Sequence, residues 1–347
     1  MNREELRECI DKSVLDSERY SDTVKVYYLL KKSLEDSRTG FELKKIERVL
    51  RKQSDNSQIE LDMLIKSNTS SYTIFEFTTS VSHNKQEYLE KEVKKIIDRD
   101  SDFIDGSTTI SISDVILVCH QDDAQFLLET YKNMINEGKI QPFSRNFCII
   151  IYYFYKNTGE EDTLNIKWFY GDPKGNAFLY YLKNQSPKYS ISKLSVKMVI
   201  EQFHFTNKKP PIPYLCSEIE SSINSLLNEI LRSPKLELKV TLPIDDFIKK
   251  FKERTGNDYC GPKSEWIREG LPYLEKIGLI KLEKDSFIVY VDEFENIHRN
   301  TDRYRFYAKL KCKTTRQAKP TKRPSLSEAE KSHHKPLFDP SSNPQTT

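Results

Sequence analysis

The sequence predicts an α/β protein whose mixed sheet is flanked by helices, followed by a smaller helix-and-hairpin domain and a basic tail. Helical and strand periodicities alternate over the first 175 residues. After a proline-rich stretch they give way to three amphipathic helices and a short hairpin, and cations then gather near the C-terminus. The expected organisation is a first domain over 1–175, a connector over 176–216, a second domain over 217–297 and a basic, largely disordered tail over 298–347.

In the first domain, Val24, Tyr27, Tyr28 and Leu30 place a helix over 23–35, and Phe41, Ile46, Val49 and Leu50 place another over 41–52. Two short apolar strands follow, around 62–66 and 73–78, joined by a hairpin through Asn68 to Ser71. Tyr88, Leu89, Val93, Ile96 and Ile97 recur at helical spacing over 83–99, so the core claims that face and the lysine face is left outside. A strand over 114–120, a helix over 124–137 ended by Gly138, and strands over 147–155 and 166–170 complete the domain before the turn at 171–175.

The run Lys208-Lys-Pro-Pro-Ile-Pro213 cannot continue a helix and is expected to be extended. Beyond it, helices are expected over 217–231, 242–254 and 262–277, the last closed by Gly278, and two strands with a turn at 284–286 end the domain. In the tail, 299–323 holds ten Lys or Arg against the single acid Asp302, although the whole chain is only +3. Arg303 and Arg305 alternate there with Tyr304, Phe306 and Tyr307, a mixture suited to phosphate contact plus stacking.

Composition excludes several classes. No stretch approaches the roughly 20 apolar residues that span a bilayer, and the N-terminus is acidic and helical rather than a leader with an apolar centre. An intracellular protein, cytoplasmic or nuclear and without membrane contact, is the expectation. The six cysteines lack Cys-x-x-Cys spacing and read as free thiols in a reducing compartment. There is no phosphate-binding glycine loop and no local context for a Ser or Cys nucleophile. His83 and His120 read as polar loop residues.

The chemistry rests on Glu42, Asp62 and Glu76. An unpaired carboxylate inside an apolar strand costs several kcal/mol, so such a group needs a cation or a proton. Two carboxylates within reach of one hard cation could hold Mg²⁺ or Mn²⁺, which would polarise a phosphate oxygen and acidify a bound water.

Glu42, Asp62 and the stretch Glu76-Phe-Thr78-Thr-Ser80, in this order, resemble the PD-(D/E)XK nuclease superfamily over about residues 24–170, and Gln86 matches a glutamine many members carry. The resemblance implies a restriction-endonuclease-like sheet, a metal held by Glu42, Asp62 and Glu76, and phosphodiester hydrolysis. Thr78 stands where the motif has lysine. Lys91 is the first substitute, Lys66 and Lys85 the others. Residues 217–293, through the phrase Leu274-Glu-Lys-Ile-Gly-Leu-Ile280, resemble a winged helix. That likeness implies contacts to nucleic acid, DNA for preference, from Lys263 and Arg268 on the third helix and from Lys281 and Lys284 on the wing, with Arg303 and Arg305 adding to them. The expected function is therefore a metal-dependent nuclease. The alternative is a catalytically degenerate adaptor that binds nucleic acid or a protein partner, or pairs with itself, in a larger assembly.

Overall fold

The computed structural model describes residues 2–67, 71–78, 86–155, 162–190, 209–230, 239–255, 262–290 and 303–318. The expected hairpin turn at 68–70, His83, Lys85, the connector segment 191–208 and the end of the tail from 319 lie outside these residues.

The chain opens on a long helix, α1 (Arg3–Ser37), entered through a capping box between Asn2 and Glu5. Three strands follow, β1 (Glu42–Lys52), β2 (Gln58–Lys66) and β3 (Tyr72–Phe77), and then helix α2 (Gln86–Ile97). Next come β4 (Phe103–Asp105), β5 (Thr108–Ile110), β6 (Ile112–His120), helix α3 (Gln121–Asn136), β7 (Asn146–Tyr155) and β8 (Thr163–Tyr170). Helix α4 (Ala177–Gln185) and β9 (Lys188–Ser190) finish a nine-stranded sheet of order β5-β4-β1-β2-β3-β6-β7-β8-β9. β3, β6 and β7 run parallel, and the remaining pairs are antiparallel. The expected α/β class with a mixed, helix-flanked sheet holds.

Each face of the sheet carries its own apolar layer. Met63, Ile65, Phe75 and Phe77 face α1, where the Tyr27 and Phe77 rings stack at 3.9 Å. Leu64, Ile74 and Leu117 face α2 and α3 through Leu89, Val93, Ile96 and Leu127. The first layer continues past α1 into the second half of the chain.

Residues 42–52 form a strand, not the expected helix. Their apolar positions fit both periods, and the outcome is decided by β2, which pairs along them in a long hairpin. A helix would bury Val49 and Leu50 together, whereas here Val49 is 54% exposed and Leu50 2%. The expected connector is also structured in part, since α4 and β9 lie within it. Helix α5 (Ile212–Ile230) begins inside the proline run, with Pro213 in its first turn, where no intrahelical N–H is needed.

The second half contains β10 (Lys239–Pro243), α6 (Ile244–Thr255), α7 (Ser264–Lys276), β11 (Ile280–Leu282) and β12 (Ser286–Tyr290), with a three-stranded sheet of order β10-β12-β11. β10 was not expected, because Leu242 and Pro243 read as a helix start. The basic segment expected to be disordered contains helix α8 (Arg303–Ala318), which packs on α1 and α5. Tyr307, Ala308 and Cys312 are buried there. Cys9 is joined to Cys312 by a disulfide, so the reading of six free thiols is corrected. Spacing could not show it, because the partners are 303 residues apart. Among the described residues, no helix is long and apolar enough to cross a membrane.

Gly171 closes the turn after β8 with φ +89°, and a Cβ there would stand 2.4 Å from the Phe147 carbonyl oxygen. Gly171→Ala should destabilise the protein by more than the roughly 1–2 kcal/mol of a left-handed L residue, read as a shift of the urea midpoint.

Candidate functional site

Asp62 and Glu76 meet through strand register. Met63 pairs with Phe75 on antiparallel β2 and β3, so the next positions outward, Asp62 and Glu76, stand opposite each other. Both are almost fully buried, at 2% and 1% exposure. Where the main-chain ladder ends, the carboxylates take over its donors. The Asp62 N–H donates to Glu76 Oε1 at 3.3 Å, and the Phe77 N–H donates to Asp62 Oδ2 at 2.8 Å.

Two cations reach this pair from the α2 side. Lys95 Nζ lies 3.2 Å from Glu76 Oε2 and 3.8 Å from Asp62 Oδ2. Arg99, in the turn after α2, donates from Nε to Glu76 Oε1 at 2.8 Å, and from Nη2 to Glu76 Oε2 at 3.4 Å and to the Glu60 carbonyl at 2.7 Å. The cluster therefore holds two acids and two bases. Burial, and then the charge of Asp62, push the Glu76 carboxyl above the ordinary carboxylate range, against the pull of Lys95 and Arg99. Burial works against the Lys95 ammonium, but Asp62 and Glu76 outweigh it and raise its pKa.

Lys95 and Arg99 are the residues sequence reasoning missed. Tyr88, Glu92, Lys95 and Arg99 are spaced to form one stripe beside the apolar face of α2. That stripe was the available signal. Lys91, the expected lysine, is exposed one turn before Lys95. Lys66 sits opposite Glu42 and Tyr72, roughly 13 Å along β2 from Asp62 at the usual strand rise.

Glu42 is not brought to the pair. Because 42–52 is a strand, Glu42 opposes Lys66 at the far end of β2, is 66% exposed, and is ion-paired with Lys44, which holds its carboxyl below the usual range. Burial, and then the charges of Glu92 and of Asp16 on α1, raise the Tyr88 hydroxyl. His120 serves as N-cap of α3, its Nδ1 accepting from the Asp122 N–H at 3.3 Å.

The donor set does not fit a divalent cation as it stands. Both oxygens of Glu76 are taken by Arg99 and Lys95, Glu42 is remote, and no cluster of three or more His, Cys, Asp or Glu suited to a metal occurs among the described residues. Adding a dication to an already balanced, buried quartet would leave it two charges in excess.

The remaining expected contact residues divide into engaged and unengaged cations. Arg268 pairs with Asp245 at 2.5 Å, Lys263 lies over the Trp266 ring at 5.4 Å, Arg303 faces Glu220 at 3.8 Å and Arg305 faces Asp11 at 3.1 Å. Lys281 and Lys284 are exposed on and beside β11, and neither has an ion-pair partner among the described residues. Comparison of the chain with protein-family models, curated proteins and solved structures finds no match.

Proposed function

We propose that this chain is a nuclease-like module that has exchanged its metal for an internal cation and acts as a non-hydrolytic adaptor on nucleic acid, duplex DNA in the first instance. The topology supports the first half of this reading. α1, the antiparallel β1-β2-β3 meander, α2 and, after the short β4 and β5, a β6 parallel to β3 come in an order that accords with a restriction-endonuclease-like core, in which Asp62 and Glu76 would be the acidic pair. The order α5, β10, α6, α7, β11, β12 likewise accords with a winged helix.

The observation that carries the proposal is the two-pronged seat of Arg99 on Glu76. A guanidinium is permanently charged and geometrically matched to a carboxylate. In this position it supplies the charge compensation a metal would supply, but it carries no exchangeable water to act as nucleophile. Contact with DNA falls to the wing, where Lys281 on β11 and Lys284 in the turn after it are exposed, because the cations of α7 are already engaged.

One observation favours a second reading, a Mg²⁺- or Mn²⁺-dependent nuclease. Lys95 touches both carboxylates and so stands where the missing motif lysine would act. A single experiment separates the two. Wild type and Asp62→Asn are incubated with plasmid, linear and single-stranded DNA in Mn²⁺, and binding is measured in parallel. The adaptor reading expects no cutting by either protein and duplex binding that weakens with salt. Changing Lys281 and Lys284 to Ala should lower the salt slope by about 2. Metal-dependent cutting that disappears in Asp62→Asn would overturn the adaptor and establish the nuclease.

A further inference from the structure

We propose that the Cys9–Cys312 bond is a thiol-operated latch on α8, and that reduction lets this basic helix leave its seat and present its cations to a polyanion. The proposal is independent of whether Asp62 and Glu76 hold a metal.

The seat is formed by α1 and α5. Tyr307 donates its hydroxyl to Glu220 Oε2 at 2.9 Å, Arg303 faces the other oxygen of Glu220, and Arg305 pairs with Asp11 two residues from Cys9. From Arg303 to Ala318 the helix contains no acid, and Arg305, Lys309 and Lys313 are exposed along it. Docked, it spends Arg303 and Arg305 on acids of the protein itself. Glu220 is only 2% exposed, so undocking returns a buried carboxylate to water and lessens the resistance to opening. What opposes undocking is these polar contacts, the apolar contact of Tyr304, Tyr307 and Leu310, and the covalent tie, which keeps the helix at its seat whenever the others loosen.

The two sulfurs are unequal. Cys9 is half-buried, whereas Cys312 has no exposed surface. A thiolate of a dithiol reductant attacks Cys9 Sγ, the S–S bond breaks, and Cys312 leaves as a thiolate that takes up a proton. The second thiol of the reductant then displaces Cys9 from the mixed disulfide, and the reductant ends as its own disulfide. Ser13 Oγ lies 3.9 Å from Cys312 Sγ, placed to donate to the leaving sulfur.

The test uses the full chain purified without reductant. Thiols titrated in denaturant should rise by two after reduction. Amide exchange over 303–312 should quicken at least tenfold in the reduced protein and return on reoxidation, and the reduced form should leave heparin at higher salt. Cys312→Ser should behave as the reduced form. If that variant does not fold, the reduction and reoxidation cycle on wild type decides. No gain in thiols, unchanged exchange over 303–312, or unchanged heparin retention after reduction would overturn the latch.

Discussion

Arg99→Ala should lower stability by about 3–5 kcal/mol, the usual consequence of removing one partner from a buried ion pair. The arginine is itself nearly buried, and its loss leaves Glu76, at 1% exposure, with Lys95 as its cation. It also removes the donor to the Glu60 carbonyl, which ties the turn after α2 to β2. The penalty should depend on pH. Glu76 is already raised above its ordinary 4.5 by burial and by Asp62, and taking Arg99 away raises it further. A carboxyl with a raised folded pKa binds its proton more tightly in the folded state, so stability falls as pH climbs from about 4.5 towards the folded value. The deficit of Arg99→Ala should therefore be small near pH 4 and grow as pH rises through the range in which Glu76 ionises. Lys95 works in the opposite sense. Its raised pKa contributes stability below its ordinary 10.5 that is lost at higher pH. Urea denaturation at several pH values, with Glu76→Gln added on the Arg99→Ala background, checks the account. The second substitution should restore much of what the first removed, because an uncharged amide no longer needs the guanidinium. A deficit independent of pH and untouched by Glu76→Gln would show that Arg99 acts through packing alone.

Asp62 and Glu76 were legible because a strand pattern that buries its neighbours must bury them too, and a buried acid demands a partner. Who that partner is depends on where α2 crosses the sheet, and periodicity does not carry that information. Lys91 and Lys95 are one turn apart, and only the crossing decides which ammonium reaches Glu76. Glu42 failed for a different reason. Its segment satisfies helical and strand spacing alike, and the choice was made by hairpin pairing with β2, a contact that the spacing within the segment does not contain. α8 shows the same limit. Its charge reads as solvated tail, while the apolar stripe of Tyr304, Tyr307 and Leu310 acquires meaning only against α1 and α5. The type of β2, β3, α2, β6, α3, β7 and β8 was readable because each has an apolar run or face long enough to declare it.

Asp22→Asn should make the protein more stable at pH 7, by up to about 3 kcal/mol. Asp22 lies on α1, and burial lifts its pKa from 3.8 to about 6 despite Lys25 at 3.4 Å. A carboxyl that binds its proton more tightly in the folded state than in the unfolded one is destabilising wherever it is ionised in both. The shift of roughly two units, at about 1.4 kcal/mol per unit, sets the size of the effect. The sign follows directly. Below about pH 4 both states hold the proton and Asp22 adds no pH dependence. Between pH 4 and 6 the unfolded chain loses its proton first and stability declines, and above pH 6 the full cost is present. Asparagine cannot ionise, so the variant should show a flatter profile across that window and match wild type most closely near pH 4. Lys25 is able to follow, because it also rests over the Phe154 ring at 5.2 Å and is not left without a neighbour when the carboxylate goes. Parallel urea titrations from pH 4 to 7 give the comparison. Equal stability of the two proteins at neutral pH would mean that the ion pair with Lys25 fully offsets the burial of Asp22, and that α1 meets the sheet with an ionised carboxylate at no cost.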